Sequence, residues 1–208
     1  MKIMKVLILN GSPKANGNTA RAIEELVKTF AAEGVEAEVM QVGNKAIHGC
    51  IGCAQCRAKG QCVFDDQVNE AASKLAEADG LIAASPVYYG SPNGTLVSFL
   101  DRLFFSAPCD KTMKVGAGVA VARRGGCSAS FDVLNKYFLM NNMPVAPSQY
   151  WNSVHGLVPG DAEKDIEGLQ TMRTLARNMT FMMKGIALAK AEGGLPQHEA
   201  KTPFNYIR

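Results

Sequence analysis

Four cysteines, Cys50, Cys53, Cys56 and Cys62, fall within thirteen residues in the pattern C-x2-C-x2-C-x5-C. Thiols this close along one segment make a poor disulfide framework. With no secretory signal at the start of the chain, metal ligation or thiol redox chemistry is the better expectation. Four thiolates at these spacings permit a [4Fe–4S] cluster. The first three repeat the compact C-x2-C-x2-C run of ferredoxins, while the x5 spacing and the lack of a proline after Cys62 depart from it. Zinc fits less well, because four-cysteine zinc sites usually use two separated pairs. A thioredoxin-like dithiol at Cys50 and Cys53 fits less well still, since no helix N-terminus obviously follows it. The bland reading is that these thiols are buried or line a pocket, and the residues alone leave it level with the cluster. Cys109 and Cys127 stand apart and read as incidental, although Cys127 borders a loop discussed below.

A second chemistry is written in Asn10-Gly11-Ser12-Pro13-Lys14-Ala15-Asn16-Gly17-Asn18-Thr19. Small residues let backbone amides approach an anion, a following helix presents its positive end, and Ser12, Asn18 and Thr19 add neutral donors. It is not a Walker A loop, because Gly17 is followed by Asn18-Thr19 and Lys14 sits too early. Nor is there a G-x-G-x-x-G fingerprint: Gly116-Ala117-Gly118 falls inside an apolar strand. Hydroxyls and amides around a terminal monophosphate suit FMN.

Two further segments suit a planar ring. Ser85-Pro86-Val87-Tyr88-Tyr89-Gly90 combines stiff prolines with two flat phenol rings. Ala122-Arg123-Arg124-Gly125-Gly126-Cys127 offers Gly-Gly amides for ring carbonyls and nitrogens. A guanidinium there would stabilise an anionic reduced flavin or hold a nucleotide phosphate.

These segments need elements to hold them. The apolar run Ile3–Leu9 reads as a strand buried on both faces. Ala20, Ile23, Leu26, Val27, Phe30 and Ala31 follow helical spacing until Gly34. Val35–Val42 alternates as a second strand, and residues 43–64, with the cysteines, form an excursion. Asp65 or Asp66 caps the next helix. Strands are expected at Gly80–Ala84, Val115–Val121 and, shorter, from Pro144 to Pro147. Helices are expected at 94–106, 128–141 and 161–188, the last with Ile166, Leu169, Met179, Met182, Met183 and Ile186 inward. Five alternations imply a doubly wound parallel sheet, whose ligands bind at the carboxyl ends of its strands. The three loops above all lie there.

The 208 residues, 47% hydrophobic and 20% charged with net charge +3, are ordinary globular material. They are expected to form a single domain over 1–192 with a C-terminal tail or arm over 193–208. No apolar run is long enough for a membrane span, no signal peptide is read, and the charge is too mild for nucleic acid. A cytoplasmic location is expected.

The segments GSPKANGNT, SPVYYGSPNGTLVSFLDRLF and ARRGG together resemble the NADPH-dependent FMN reductase family of the flavodoxin-like superfamily. Further matches are Tyr150-Trp151-Asn152, His155-Gly156 and EGLQTMRTLARNM. The resemblance implies a flavodoxin-like three-layer sandwich with sheet order 2-1-3-4-5. It implies FMN with its phosphate held by Ser12, Lys14, Gly17, Asn18 and Thr19. The ring would lie against Pro86, Val87, Tyr88, Tyr89 and Gly90, with Arg123, Arg124, Gly125 and Gly126 at the pyrimidine side. It also implies NAD(P)H as co-substrate, a small-molecule acceptor such as a quinone or flavin, or else a redox protein, and a homodimer or homotetramer. No side chain is expected to act as acid or base, since the cofactor carries the chemistry. His48, His155 and His198 are scattered and read as structural. The cysteine loop resembles that of iron–sulfur flavoproteins, which would make Cys50, Cys53, Cys56 and Cys62 cluster ligands in electron transfer with ferredoxin-like partners. A flavin-binding redox sensor is a third reading.

Overall fold

The protein is described by a computed structural model covering residues 3–200 and 202. Its strands are β1 (Met4–Asn10), β2 (Val35–Gln41), β3 (Gly80–Tyr88), β4 (Ser91–Pro92), β5 (Val115–Ala122) and β6 (Ser153–His155). Its helices are α1 (Asn18–Ala32), α2 (Cys56–Lys59), α3 (Gln67–Glu77), α4 (Gly94–Ser106), α5 (Cys127–Met140) and α6 (Ile166–Gly193), with a 3-10 turn at Asp161–Lys164. The main sheet runs β2-β1-β3-β5-β6, all pairs parallel, and β4 folds back antiparallel on β3. Setting aside that short return strand, this is the expected 2-1-3-4-5 order of a flavodoxin-like fold.

The central strands β1, β3 and β5 are buried on both faces, and alternate side chains feed two cores. Val6, Ile8, Ile82, Val115, Ala117 and Val119 meet Ile23, Leu26 and Phe30 of α1 and Met172, Leu175 and Met179 of α6. Leu7, Leu9, Leu81 and Ala83 meet Val68 and Leu75 of α3, Leu96, Phe99 and Leu103 of α4, and Leu134 and Phe138 of α5. Burying each such side chain contributes about 1.5–3 kcal/mol. On β5 this second face carries glycines. A Cβ on Gly116 would lie 2.4 Å from the Phe138 ring, and one on Gly118 2.9 Å from Leu134, so their absence lets α5 close on the sheet.

The helix ends follow the residues expected of them. Gly34 takes φ +74° just beyond α1, and Asp66 caps α3 by accepting the Val68 amide at 3.0 Å. Three expectations are corrected. Pro144–Pro147 is not the fifth strand: Val145 makes one isolated bridge to Gly116, and the ladder is taken up by Ser153–His155. A proline brings no amide to a ladder. β3 does not stop at Ala84 but runs on to Tyr88 and turns into β4 through Tyr89 (φ +51°) and Gly90 (φ +74°), a tight turn with both central residues left-handed. The last helix begins at Ile166 rather than 161. Asp165 caps it through the Gly168 amide, and Ile166 lies 75% exposed rather than inward. Among the described residues no helix is long and apolar enough to cross a membrane. The end of the expected tail, from 203 on, lies outside the described residues.

Candidate functional site

At the carboxyl end of the sheet a cleft is lined by Ser12, Lys14, Gly17, Asn18 and Thr19, by Pro86, Val87 and Tyr88, by Val121, Ala122 and Arg123, and by Gly156, Leu157 and Pro159. Its floor is fixed by the first loop. Asn10 accepts the Ser12 amide at 3.0 Å, Ser12 Oγ accepts the Lys14 amide at 3.1 Å, and Gln41 Nε2 donates to the Ser12 carbonyl. The Gly11 amide donates to the Ala84 carbonyl at 2.8 Å, tying the loop to β3. A Cβ on Gly11 would come within 2.7 Å of Leu96, so only glycine lets the loop lie this close to α4. Gly17, the residue before α1, caps it with no side-chain hydrogen bond, and the first turn holds no acidic residue. The helix start therefore keeps amides and partial positive charge for an anion at the cleft.

The opposite wall is the start of the β3–β4 hairpin. Of the ring-contact residues expected, Pro86, Val87, Tyr88 and Arg123 line the cleft. Tyr89 and Gly90 form the hairpin turn instead, with the Tyr89 side chain fully exposed. Arg124, Gly125 and Gly126 also lie off the cleft lining. Gly126 (φ +94°) packs against the hairpin so closely that a Cβ there would sit 2.8 Å from Val87 and 2.9 Å from Gly90. The third wall, 156–159, carries no residue picked out for chemistry in the sequence. It is held by Asp161, which accepts the Leu157 and Val158 amides at 3.1 and 3.0 Å, and by Asn18, which accepts the Ala162 amide at 3.2 Å. Those amides and Lys164 bring the Asp161 carboxyl down to about 2.

The cysteine loop forms a separate site against α4. Cys50, Cys53, Cys56 and Cys62 are free thiols, the first two exposed, and all four line one small apolar pocket with Ile51, Phe64, Arg102, Phe105 and Ser106. Left-handed residues at Gly52, Ala54 and Gly60 wind the loop so that the thiols share that side. Asn69 of α3 clamps Cys62 by accepting its amide at 2.9 Å and donating to its carbonyl at 3.1 Å. Arg102, buried in α4, donates to Cys62 Sγ at 3.2 Å and to Asp66 at 2.6 and 2.9 Å. Burial works against its charge, but the hydrogen bonds of Asp66 and Cys62 outweigh that and raise its pKa. Ser106 Oγ is buried without a hydrogen-bond partner.

Among the described residues no three His, Cys, Asp or Glu side chains converge as a site for one metal ion. A four-iron cluster makes a different demand, since each thiolate takes its own iron. The donor set fits such a cluster: four free thiols, an apolar surround, and an unpaired buried hydroxyl in the same wall. Neither Arg102 nor Ser106 was picked out in the sequence. The available signal was a charge placed within the buried stripe of α4.

Comparison with known proteins gives a family and relatives along most of the chain. A model of the family described as NADPH-dependent FMN reductase matches residues 4–157. An iron–sulfur flavoprotein of Methanocaldococcus jannaschii is 35% identical over 192 residues, spanning 87% of this chain and 98% of that protein. One from Methanosarcina thermophila is 28% identical over 185 residues, spanning 87% and 96%. Among solved structures, an NAD(P)H:quinone oxidoreductase from Methanothermobacter marburgensis superposes with a TM-score of 0.64 at 17% identity, over 86% of this chain and 98% of that one. That likeness speaks for the fold.

Proposed function

The chain belongs to the NADPH-dependent FMN reductase family, and on that premise we propose that it is a flavin-dependent oxidoreductase with FMN in the sheet-end cleft and a [4Fe–4S] cluster on the Cys50–Cys62 loop. The observation that carries the flavin half is the cleft itself, where the open start of α1 and the Ser12 loop face the Pro86–Tyr88 wall. Ser12, Lys14, Gly17, Asn18 and Thr19 would hold the phosphate. Pro86, Val87 and Tyr88 would cover the ring, and Arg123 would supply positive charge at its edge. Bound FMN supplies hydride acceptance and electron release, which no side chain here provides. The protein's part is to orient the ring, keep one face open and exclude water from the other. NAD(P)H is the reading for the electron donor, and a small-molecule acceptor or a redox protein for the exit.

The cluster half is supported by the shared pocket of Cys50, Cys53, Cys56 and Cys62 and by relatives named iron–sulfur flavoproteins. A second reading, FMN alone with direct turnover of NAD(P)H, is favoured by one observation: no cysteine lines the cleft, so it is complete without the loop. Exposed Tyr89, Tyr150, Trp151 and Val158 support a homodimer or homotetramer.

Anaerobic purification with a visible spectrum and iron and sulfide analysis tests the proposal. FMN with four irons and four sulfides per chain is the expected result (the composition of the cluster). A flavin-only spectrum without iron leaves the second reading, and failure to take up FMN overturns both. Cys53→Ala should remove the iron and leave FMN bound.

A further inference from the structure

The pocket enclosed by the cysteine loop has one wall that is not loop. Arg102 and Ser106, one turn apart on α4, both face it. We propose that these two residues are the hydrogen-bond donors that set the reduction potential of the cluster held there, an inference that rests on the cluster half of the proposed function.

Arg102 is 1% exposed, and each of its five N–H groups has a partner. Nη1 donates to Asp66 Oδ2 at 2.6 Å and to the His48 carbonyl at 3.3 Å, and Nη2 donates to Asp66 Oδ1 at 2.9 Å and to the Phe64 carbonyl at 3.4 Å. The Phe64 ring covers the guanidinium at 4.8 Å, and His48 stacks on that ring at 4.6 Å. With four donors and a face fixed, the Nε–H has one direction left, and it points to Cys62 Sγ at 3.2 Å. A lysine could pair with Asp66 but could not hold the carboxylate and the sulfur from one rigid plane. The Arg102 charge is matched by Asp66, so its specific action on Cys62 is the local N–H···S bond rather than a bare field.

Ser106 provides the second observation. It is 5% exposed and lines the same pocket, and its Oγ finds no partner in the protein. A buried hydroxyl without a partner is rare unless something else completes it. Sulfur atoms in this pocket are acceptors of the right kind. Reducing a cluster adds negative charge that is shared by its sulfurs, so donors aimed at them favour the reduced form and raise the potential.

The test uses the anaerobically purified holoprotein, with Ser106→Ala and with Arg102→Lys, which keeps the charge and loses the fixed Nε–H. Iron, sulfide and FMN are counted, and the cluster and flavin midpoints are read by potentiometric titration with EPR detection. Both variants should keep iron and FMN, with the cluster midpoint shifted lower and the flavin midpoint unmoved. A cluster midpoint unchanged at full iron content overturns this inference and leaves the proposed function standing. Should Arg102→Lys fail to load iron, Ser106→Ala, which removes one oxygen, decides alone. Wild-type protein without iron or sulfide overturns the cluster reading and this inference with it.

Discussion

Asn93 joins two of the segments that form the cleft. Its Nδ2 donates to the Gly11 carbonyl at 2.6 Å, across 82 residues of chain, while its Oδ1 caps α4 through the Thr95 amide at 3.1 Å. Its own amide is held by Ser85 Oγ at 2.8 Å. Asn93→Ala removes the cap, at about 1 kcal/mol, and leaves the buried Gly11 carbonyl without that donor, at about 1–3 kcal/mol. The expected outcome is a loss of about 2–4 kcal/mol in urea unfolding, with weaker FMN binding because the Gly11–Ser12 loop is released. Asn93→Asp keeps the cap oxygen but turns the donor into a carboxylate oxygen facing the Gly11 carbonyl, so α4 should keep its cap while FMN binding weakens at least as much. Equal binding by wild type and both variants would show that the loop does not hold the cofactor.

The phosphate position can be tested by charge. Ser12 is buried and faces the cleft beside the start of α1. Ser12→Asp preserves an oxygen for the Lys14 amide and sets a carboxylate against the expected phosphate. Like charges a few ångströms apart in a half-buried site should weaken FMN binding about tenfold or more. Riboflavin, which has no phosphate, should bind the variant about as well as it binds wild type. Fluorescence titration of both flavins measures this, and an equal loss for both would place the phosphate elsewhere.

Much of this arrangement is legible in the sequence, because central parallel strands buried on both faces read as apolar runs, the edge strand β2 as an alternation, and the helices at 3.6-residue spacing. That is why β1, α1, β2, α4 and β5 fall within a few residues of expectation. β6 is three residues long, Ser153–His155, too short to show any period, while the apolar Pro144–Pro147 run beside it looks more like a strand. The Tyr89 conformation is legible only once β4 is seen to fold back on β3. Arg102 is hidden for a different reason. A charge on an amphipathic helix reads as a solvated face, and its partners His48, Cys62, Phe64 and Asp66 lie 36 to 54 residues upstream. The 156–159 wall depends likewise on Asn18, which reaches Ala162 across 144 residues.

Cys127 carries a pH signature. It begins α5, its Sγ lies 3.9 Å from His155 Nε2, and His155 Nδ1 lies 3.4 Å from Asp165. Burial first, and the Asp165 charge second, push its thiol pKa above the ordinary value. A raised thiol pKa favours the neutral form, so the stability it brings is complete below the ordinary thiol pKa and is lost as pH rises through the raised one. The thiolate is the reactive species. Alkylation of Cys127 by iodoacetamide, followed by mass spectrometry of the native protein, should therefore be slow at neutral pH and still rising at pH values where an exposed thiol has levelled off. A plateau near neutrality would mean that His155 holds Cys127 as a thiolate instead.

Glu25 anchors α1 to α6 away from both sites. It is 7% exposed and pairs with Arg21 at 2.9 Å on its own helix and with Arg173 at 2.5 Å on α6. Burial alone would raise its carboxyl, but the hydrogen bonds from Arg173 and Arg21 outweigh it and hold the pKa below the ordinary value. A carboxyl lowered on folding stabilises the protein above its unfolded pKa and loses that contribution as pH falls through the folded one. Glu25→Ala leaves two guanidinium groups facing each other across a partly buried contact. Arg21 keeps Glu163 as a partner and Arg173 is 36% exposed, so the cost at neutral pH should be about 1–2 kcal/mol, between that of an exposed and a buried pair. The cost should shrink steadily as pH drops below the ordinary glutamate range, where wild type loses the same interaction. Urea unfolding of both proteins from neutral pH down into that acid range measures the convergence. Two parallel stability curves would mean that the α1–α6 contact is held by packing alone.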